Sequence, residues 1–286
     1  MKSLIYFAAM GLMVYTACSK KQSTVAPAEE NKTIVPTTNN TTSSDTILNV
    51  TYENGSTTSG ISGLNPTNAT ASDAAYTISP GATGNYAVAH KVTLGVPGYY
   101  SNDAYRSESD AVTVIPYRFS PGQIRRYEVS ILLKDWQQWN SANPPYGDNL
   151  FQLKISNEVP VPVRLMAKRN SIVSRRYSST QENVIADFRP YINQWIHFRI
   201  DVKWSDTNDG YMKIYRKLPN DTDYVLAVEQ HNFASFNGNV AAGNIGYIKW
   251  GVYREAGEDS NGNVLLTDNV LTRIAFHDNI RIIKLD

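Results

Sequence analysis

Tyr247, Lys249, Gly251 and Tyr253 occupy every second position of one short run, Tyr247-Ile248-Lys249-Trp250-Gly251-Val252-Tyr253-Arg254. Successive side chains of a strand point to opposite faces, so this spacing sets an ammonium and two phenols on one face. Gly251, which has no side chain, leaves room between Lys249 and Tyr253 for a substrate. An unperturbed tyrosine titrates near pH 10, and neighbouring cations favour its phenolate. Tyr253 is therefore a candidate general acid or base. Two further segments carry related chemistry: Tyr105-Arg106-Ser107-Glu108 offers a guanidinium and a carboxylate, and Phe151-Gln152-Leu153-Lys154 offers an amide and an ammonium. Arg106 and Glu108 read equally well as a surface ion pair. Trp136 and Trp139, in Asp135-Trp136-Gln137-Gln138-Trp139-Asn140, either cap the core or stack on sugar rings at the rim of a groove.

Other chemistries find no support. The four histidines, His90, His197, His231 and His277, lie in separate segments with no pair at helical ligand spacing, whereas zinc sites need clustered Cys or His ligands. There is no Gly-rich phosphate loop and no serine elbow, and no motif calls for a cofactor. Asp206, Asn208 and Asp209 suit a hairpin turn better than a structural calcium site. The formal net charge of +1 lacks the basic excess usual in nucleic-acid binding. Basic residues do cluster at Arg125-Arg126, Lys168-Arg169 and Arg175-Arg176, as solvated loop and edge charges or as a groove that attracts a polyanion.

The elements that must position these residues are strands. Alternating runs appear at Tyr86–Leu94, Tyr127–Leu133, Phe151–Ile155, Trp195–Trp204, Tyr211–Arg216, Ile245–Tyr253 and Leu271–Lys284. Gly, Asn, Asp and Pro clusters separate them, as at Asn143–Asn149 and Ser205–Gly210. Short alternating strands with turn chemistry between them predict an all-β sandwich or barrel. One apolar and one polar side per strand predicts two packed antiparallel sheets with a concave polar outer face.

The first residues predict export. Met1-Lys2-Ser3 is a basic start, Leu4–Tyr15 is apolar and uncharged, and Thr16-Ala17 leads to Cys18. This is the order of a secretory signal, and it is shorter than the ~20 apolar residues of a membrane span. Cys18 is the only cysteine, so an intrachain disulfide is excluded. Val14-Tyr15-Thr16-Ala17-Cys18 resembles a bacterial lipobox, with Tyr15 in place of the usual leucine. That resemblance implies a diacylated Cys18 anchoring the protein in the cell envelope, in the outer membrane. Residues 19 to about 60, rich in Thr, Ser, Asn, Pro and Gly, lack the apolar content to repay ordering. The expected organisation is a signal at 1–17, a lipidated cysteine and tether at 18–60, and a monomeric β domain at 61–286.

The order Arg-Ser-Glu (Arg106-Ser107-Glu108), then Gln152 on a strand, then Tyr-x-Lys-x-Gly-x-Tyr (Tyr247 to Tyr253) resembles the jelly-roll polysaccharide lyases. These include the heparin lyase I type, glucuronan lyases and alginate lyases of polysaccharide lyase family 7. Phe276-His277-Asp278-Asn279-Ile280-Arg281-Ile282 is similar to the last strand of their concanavalin-like domains, and the likeness runs from about Tyr86 to Ile283. It implies a concanavalin-like jelly roll that cleaves an acidic polysaccharide by β-elimination at a uronic acid. Arg106, Gln152 and Lys249 would neutralise the uronate and Tyr253 would move the proton. Glu108 would orient Arg106 through an ion pair. Glu108, Lys154, Tyr247, Trp136, Trp139 and Arg254 would bind substrate. Related alginate lyases carry Gln-x-His where this chain has Gln152-Leu153-Lys154. The missing imidazole either comes from His90 on a neighbouring strand, or His90 makes structural hydrogen bonds. The rival to a lyase is a non-catalytic glycan-binding lipoprotein on the same fold. A glycoside hydrolase would need two carboxylates facing each other across the groove, for which no strand pattern exists.

Overall fold

The computed structural model describes residues 45–141, 147–157, 159–177, 180–255 and 270–286. The expected signal sequence, Cys18 and the expected tether up to residue 44 lie outside the described residues. Two antiparallel sheets face each other. One runs in the order β13 (Val225–Phe233), β12 (Gly210–Lys217), β11 (Trp195–Lys203), β6 (Ile124–Lys134), β15 (Thr272–Lys284), β3 (Ala87–Thr93), β2 (Ala75–Ile78), and β1 (Thr46–Val50) also pairs with β15. The other runs β10 (Thr180–Ile185), β9 (Ser171–Arg176), β8 (Val163–Lys168), β7 (Gly147–Ile155), β14 (Gly246–Arg254), β5 (Ala104–Asp110), β4 (Tyr100–Ser101). This is the two-sheet sandwich that the alternating runs predict, with the jelly-roll fold that the lyase resemblance implies.

The core lies between the sheets. Tyr127, Val129, Ile131 and Leu133 of β6 meet Ile248, Trp250 and Val252 of β14 and Phe151, Leu153 and Ile155 of β7 in one buried cluster. Trp204 stacks on Phe119 with ring centroids 3.8 Å apart and donates to the Tyr127 hydroxyl at 2.8 Å. The Trp250 indole donates to the Tyr52 hydroxyl at 2.7 Å, so the polar edge of each large ring is satisfied, as burial requires.

The domain begins earlier than residue 61. Residues 45–60, expected in the tether, belong to the sandwich: β1 pairs with β15, and Leu48, Val50 and Tyr52 are buried in the core. The reason is a brief alternation, Leu48 and Val50, whose apolar face is buried only once the distant β15 is present. Surrounding Thr, Ser and Asn hide it in a composition average. Gly147-Asp148-Asn149, expected in a turn, likewise opens β7.

His90 is an interior residue. Its ring lies between the sheets, Nδ1 3.2 Å from Nδ1 of His277 and Nε2 3.0 Å from the Ser109 hydroxyl, while His277 Nε2 lies 3.0 Å from the Leu150 carbonyl. The Ser109 hydroxyl donates to the Pro66 carbonyl at 2.9 Å and therefore accepts from His90 Nε2. Burial pushes His90 down to about 3, against about 6.5 in an unfolded chain. Between those values the unfolded chain binds more protons, so stability present above pH 6.5 is lost as pH falls toward 3. Melting temperatures of the wild type should fall across this window, and His90→Gln should show a shallower slope in the same series.

Candidate active site

The outer face of the seven-stranded sheet collects the polar side chains of β5, β14, β7, β8 and β9. Register sets them side by side. Tyr253 pairs with Arg106 and Gly251 with Glu108, Lys249 lies opposite Gln152, Tyr247 opposite Lys154, and Gln152 opposite Arg164. Arg106, Gln152, Lys249 and Tyr253, which the sequence scatters over nearly 150 positions, therefore share one surface. Alternate residues of the same strands, Ser107, Ser109, Ile248, Trp250 and Leu153, face inward.

The floor of this surface is an ion pair below the reach of bulk water. Glu108 is 1% exposed and Lys249 4%. Lys249 Nζ donates to Glu108 Oε2 at 2.7 Å, and the Gln152 amide donates to Glu108 Oε1. Burial alone would raise the Glu108 carboxyl, but Lys249, helped by Arg106 and Gln152, holds it below the usual carboxylate value. Glu108 does not pair with Arg106, as the sequence reading expected. Its carboxylate reaches from β5 across β14 to β7 instead, over Gly251.

Gly251 is required by the backbone itself. Its φ is +147°, and a Cβ there would lie 2.2 Å from the Ser107 carbonyl oxygen and 2.6 Å from the Glu108 Cα. The β5 backbone closes on it where β14 and β7 shift register between Trp250 and Tyr253. Glycine is the residue for such close approach.

Arg106 is set by a tight hairpin. Asn102 and Asp103 join β4 to β5 with φ of +47° and +62°, the left-handed pair that two-residue hairpins require and that Asn and Asp tolerate. Arg106 Nη2 donates to the Asn102 carbonyl at 2.7 Å, and the guanidinium lies 4.5 Å from the centre of the Tyr253 ring. Among the described residues its buried Nε has no hydrogen-bond partner.

Lys154 and Tyr253 are half-buried on the same outer face. Among the described residues neither the Lys154 amine nor the Tyr253 hydroxyl has a hydrogen-bond or ion-pair partner. Burial, and then the Lys249 charge, lower Lys154 from its ordinary value. Burial raises Tyr253 although Arg106 and Arg164 oppose it, so desolvation outweighs the cations expected to favour a phenolate. Tyr247 is pushed up to about 12 by burial and by Asp110 and Glu108. At neutral pH both tyrosines are phenols.

Several expected residues are elsewhere. His90 sits on the core side of the seven-stranded sheet, separated from the groove by that sheet. Trp136 belongs to the core, with the Arg273 guanidinium 4.8 Å from its ring. Arg254 points away from the groove, donating to Asp148 at 2.9 Å and to the Val270 and Leu271 carbonyls. Trp139 is partly exposed beside the β8–β9 turn, where Arg169 lies 5.2 Å from its ring. Arg126 is bound to Asp201 on the other sheet. Asp209 is held in a turn by Lys203, Ser205 and Thr207, and among the described residues no group of three or more His, Cys, Asp or Glu could hold a metal ion. Sequence reasoning missed Arg164 and Glu255. Arg164 lies in a strand without clear alternation, and Glu255 follows the recognised run by one residue.

The family model described as polysaccharide lyase matches residues 52–281. The chain belongs to this family. The lyase's fold is similar to that of the marine PL-14 alginate lyase from Aplysia kurodai. That enzyme is 11% identical, the match covers 84% of this chain and 99% of the other, and the TM-score is 0.51. The endo-β-1,4-glucuronan lyase of the fungus Trichoderma reesei is 19% identical over 70% of this chain and 82% of its own, with a TM-score of 0.49. No curated protein matches the sequence.

Removing one partner of a buried ion pair strands the other charge, at a cost of about 3–5 kcal/mol. Glu108→Ala should lower unfolding stability by about that much in urea titration, and Glu108→Leu combined with Lys249→Met should recover a large part of it.

Proposed function

We propose that the lyase cleaves a uronate-containing polysaccharide by β-elimination, with Lys154 as base and Tyr253 as acid. The observation that carries this reading is the convergence of Arg106, Gln152, Lys249, Lys154 and Tyr253 on one face of the seven-stranded sheet. The proton alpha to a uronate carboxylate is weakly acidic, and its removal builds enolate charge on that carboxylate. Catalysis therefore needs donors fixed in advance around it. Arg106, with an unused Nε–H, and the Lys249 and Gln152 donors held by Glu108 suit that task. With Lys154 neutral, the two cations Arg106 and Lys249 still outnumber the one carboxylate, Glu108, so a second carboxylate enters with favourable charge balance.

A neutral Lys154 amine would take the alpha proton. The C–H electrons form the carbon–carbon double bond while the bond to the 4-linked oxygen breaks, and Tyr253 gives its phenolic proton to that oxygen. The products are an unsaturated uronate end and a new sugar hydroxyl. Lys154 returns its proton to the phenolate through solvent. The directions of the two shifts support this division: burial favours the uncharged form of each group, which is the form each step requires. This assigns Lys154 a role beyond substrate binding and leaves none for His90.

Rates should rise with pH as Lys154 deprotonates, below its ordinary 10.5, and fall as Tyr253 ionises, above its ordinary 10. The optimum should be alkaline, read by ultraviolet absorbance of unsaturated ends on glucuronan, alginate and heparin. Tyr253→Phe and Lys154→Arg should each cut kcat by about 10²–10⁴ with the fold intact, since arginine keeps the charge but cannot act as a base. Absence of unsaturated ends on every uronate tested would refute the reading.

We also infer that the protein is exported and lipid-anchored through Cys18, on the support of the signal-like residues before it. Two acyl chains anchor stably where one is marginal. Cys18→Ser should abolish labelled fatty-acid incorporation and move the protein from the membrane to the soluble fraction of an expressing bacterium.

A further inference from the structure

The polar face extends past Gln152 in a direction that the elimination does not use. Arg164 on β8 is the cross-strand neighbour of Gln152, and Arg175 on β9 is the cross-strand neighbour of Arg164. Two guanidiniums side by side on a partly buried surface repel, and burial together with Arg175 lowers Arg164 from its usual range. Among the described residues the Glu255 carboxylate bridges them. Glu255 Oε1 accepts from Arg175 Nη1 at 2.9 Å and from Arg164 Nη1 at 3.3 Å, and Glu255 Oε2 lies 3.1 Å from Arg175 Nη1. Glu255 follows β14 directly, and its backbone N–H is fixed to the Gly147 carbonyl at 3.0 Å, so the side chain reaches in from the edge of the groove. The buried Nε of Arg164 has no hydrogen-bond partner among the described residues.

We infer that Arg164 and Arg175 form a second acid-binding subsite, in which the Glu255 carboxylate stands where an acidic group of the polysaccharide binds. The inference rests on the lyase reading of the same groove and names its substrate class. Neighbouring strands are about 4.8 Å apart, so Arg175 lies roughly 10 Å along the sheet from Gln152. An acid group at that distance from the cleaved uronate belongs to another sugar of the same chain. The substrate then carries carboxylates or sulfates on successive residues, as a uronan or a densely sulfated glycan does, and is not one with isolated uronates among neutral sugars. Exchange of Glu255 for a substrate anion keeps the charge balance of the arginine pair, so the subsite can fill without stranding a buried charge. Arginine also has the planar donor geometry for carboxylate and sulfate oxygens alike.

Binding is the readout, so that the result does not depend on turnover. In a Tyr253→Phe background, calorimetric titration would compare a tetrasaccharide of uronates, a sulfated tetrasaccharide and a tetrasaccharide carrying one uronate. Arg164→Met and Arg175→Met should each weaken binding of the multiply charged ligands by about tenfold or more, the scale of a charged hydrogen bond. Glu255→Gln should tighten it several-fold, and the singly charged ligand should respond to none of the three changes. The stronger response between the carboxylated and sulfated ligands assigns the acid group. Arg175→Lys, which keeps the charge, separates loss of the subsite from loss of fold, with melting temperature as the control. Weaker binding in Glu255→Gln, or equal responses from singly and multiply charged ligands, would overturn the inference. Wild-type activity reports separately on the elimination: this binding pattern in a protein that makes no unsaturated ends would keep the subsite and reject the lyase mechanism.

Discussion

The arrangement of the groove depends on one buried ion pair. Glu108 and Lys249 are charged groups with almost no access to water, joined at 2.7 Å and steadied by the Gln152 amide. The desolvation cost of such a pair is offset only when geometry is good and the remaining lone pairs are used. That requirement fixes three strands at once, because Glu108 comes from β5, Lys249 from β14 and Gln152 from β7. It also explains Gly251, over which the carboxylate passes and against which the β5 backbone closes. Residues around this floor keep their own polar groups available: the Arg106 Nε, the Lys154 amine and the Tyr253 hydroxyl.

The strands of the seven-stranded sheet serve two environments through their alternation. Inward positions build an apolar core with a few hydrogen-bonded polar groups such as His90 and Ser109, and outward positions carry the charges. Burial acts on both sides, but with different results. Inside, it keeps His90 and His277 neutral and so fit for structural hydrogen bonds. On the outer face it keeps Tyr253 protonated and lowers Lys154, the directions that the proposed acid and base require.

Much of this was legible in the sequence, for a physical reason. Period two is a property of single strands, so the run from Tyr247 to Arg254 disclosed its own faces before any partner strand was known. The convergence of Arg106 and Gln152 with Lys249 and Tyr253 was implied by the resemblance to the jelly-roll lyases, not by the periodicity of any one strand. What stayed hidden depends on register between strands. Glu108 was matched with Arg106, its neighbour in sequence, whereas its partners are 44 and 141 positions away. His90 has the alternation of a strand residue, but alternation does not say which face is the core. β1 is too short to stand out from its Thr- and Ser-rich surroundings, and Arg164 acquires meaning only beside Gln152 and Arg175.

The place of β15 has a kinetic consequence. The last strand of the chain lies in the middle of its sheet, between β6 and β3, and it also receives β1 from the other end of the sequence. Until β15 is in place, β6 and β3 each keep an unpaired edge, of the kind that templates association with other chains. The pairing of Val50 with Ile280 closes a very long loop, and topologies rich in such distant contacts fold slowly. The eight-stranded sheet is therefore completed only by Thr272–Lys284, and a chain cut short before Thr272 would keep both edges open.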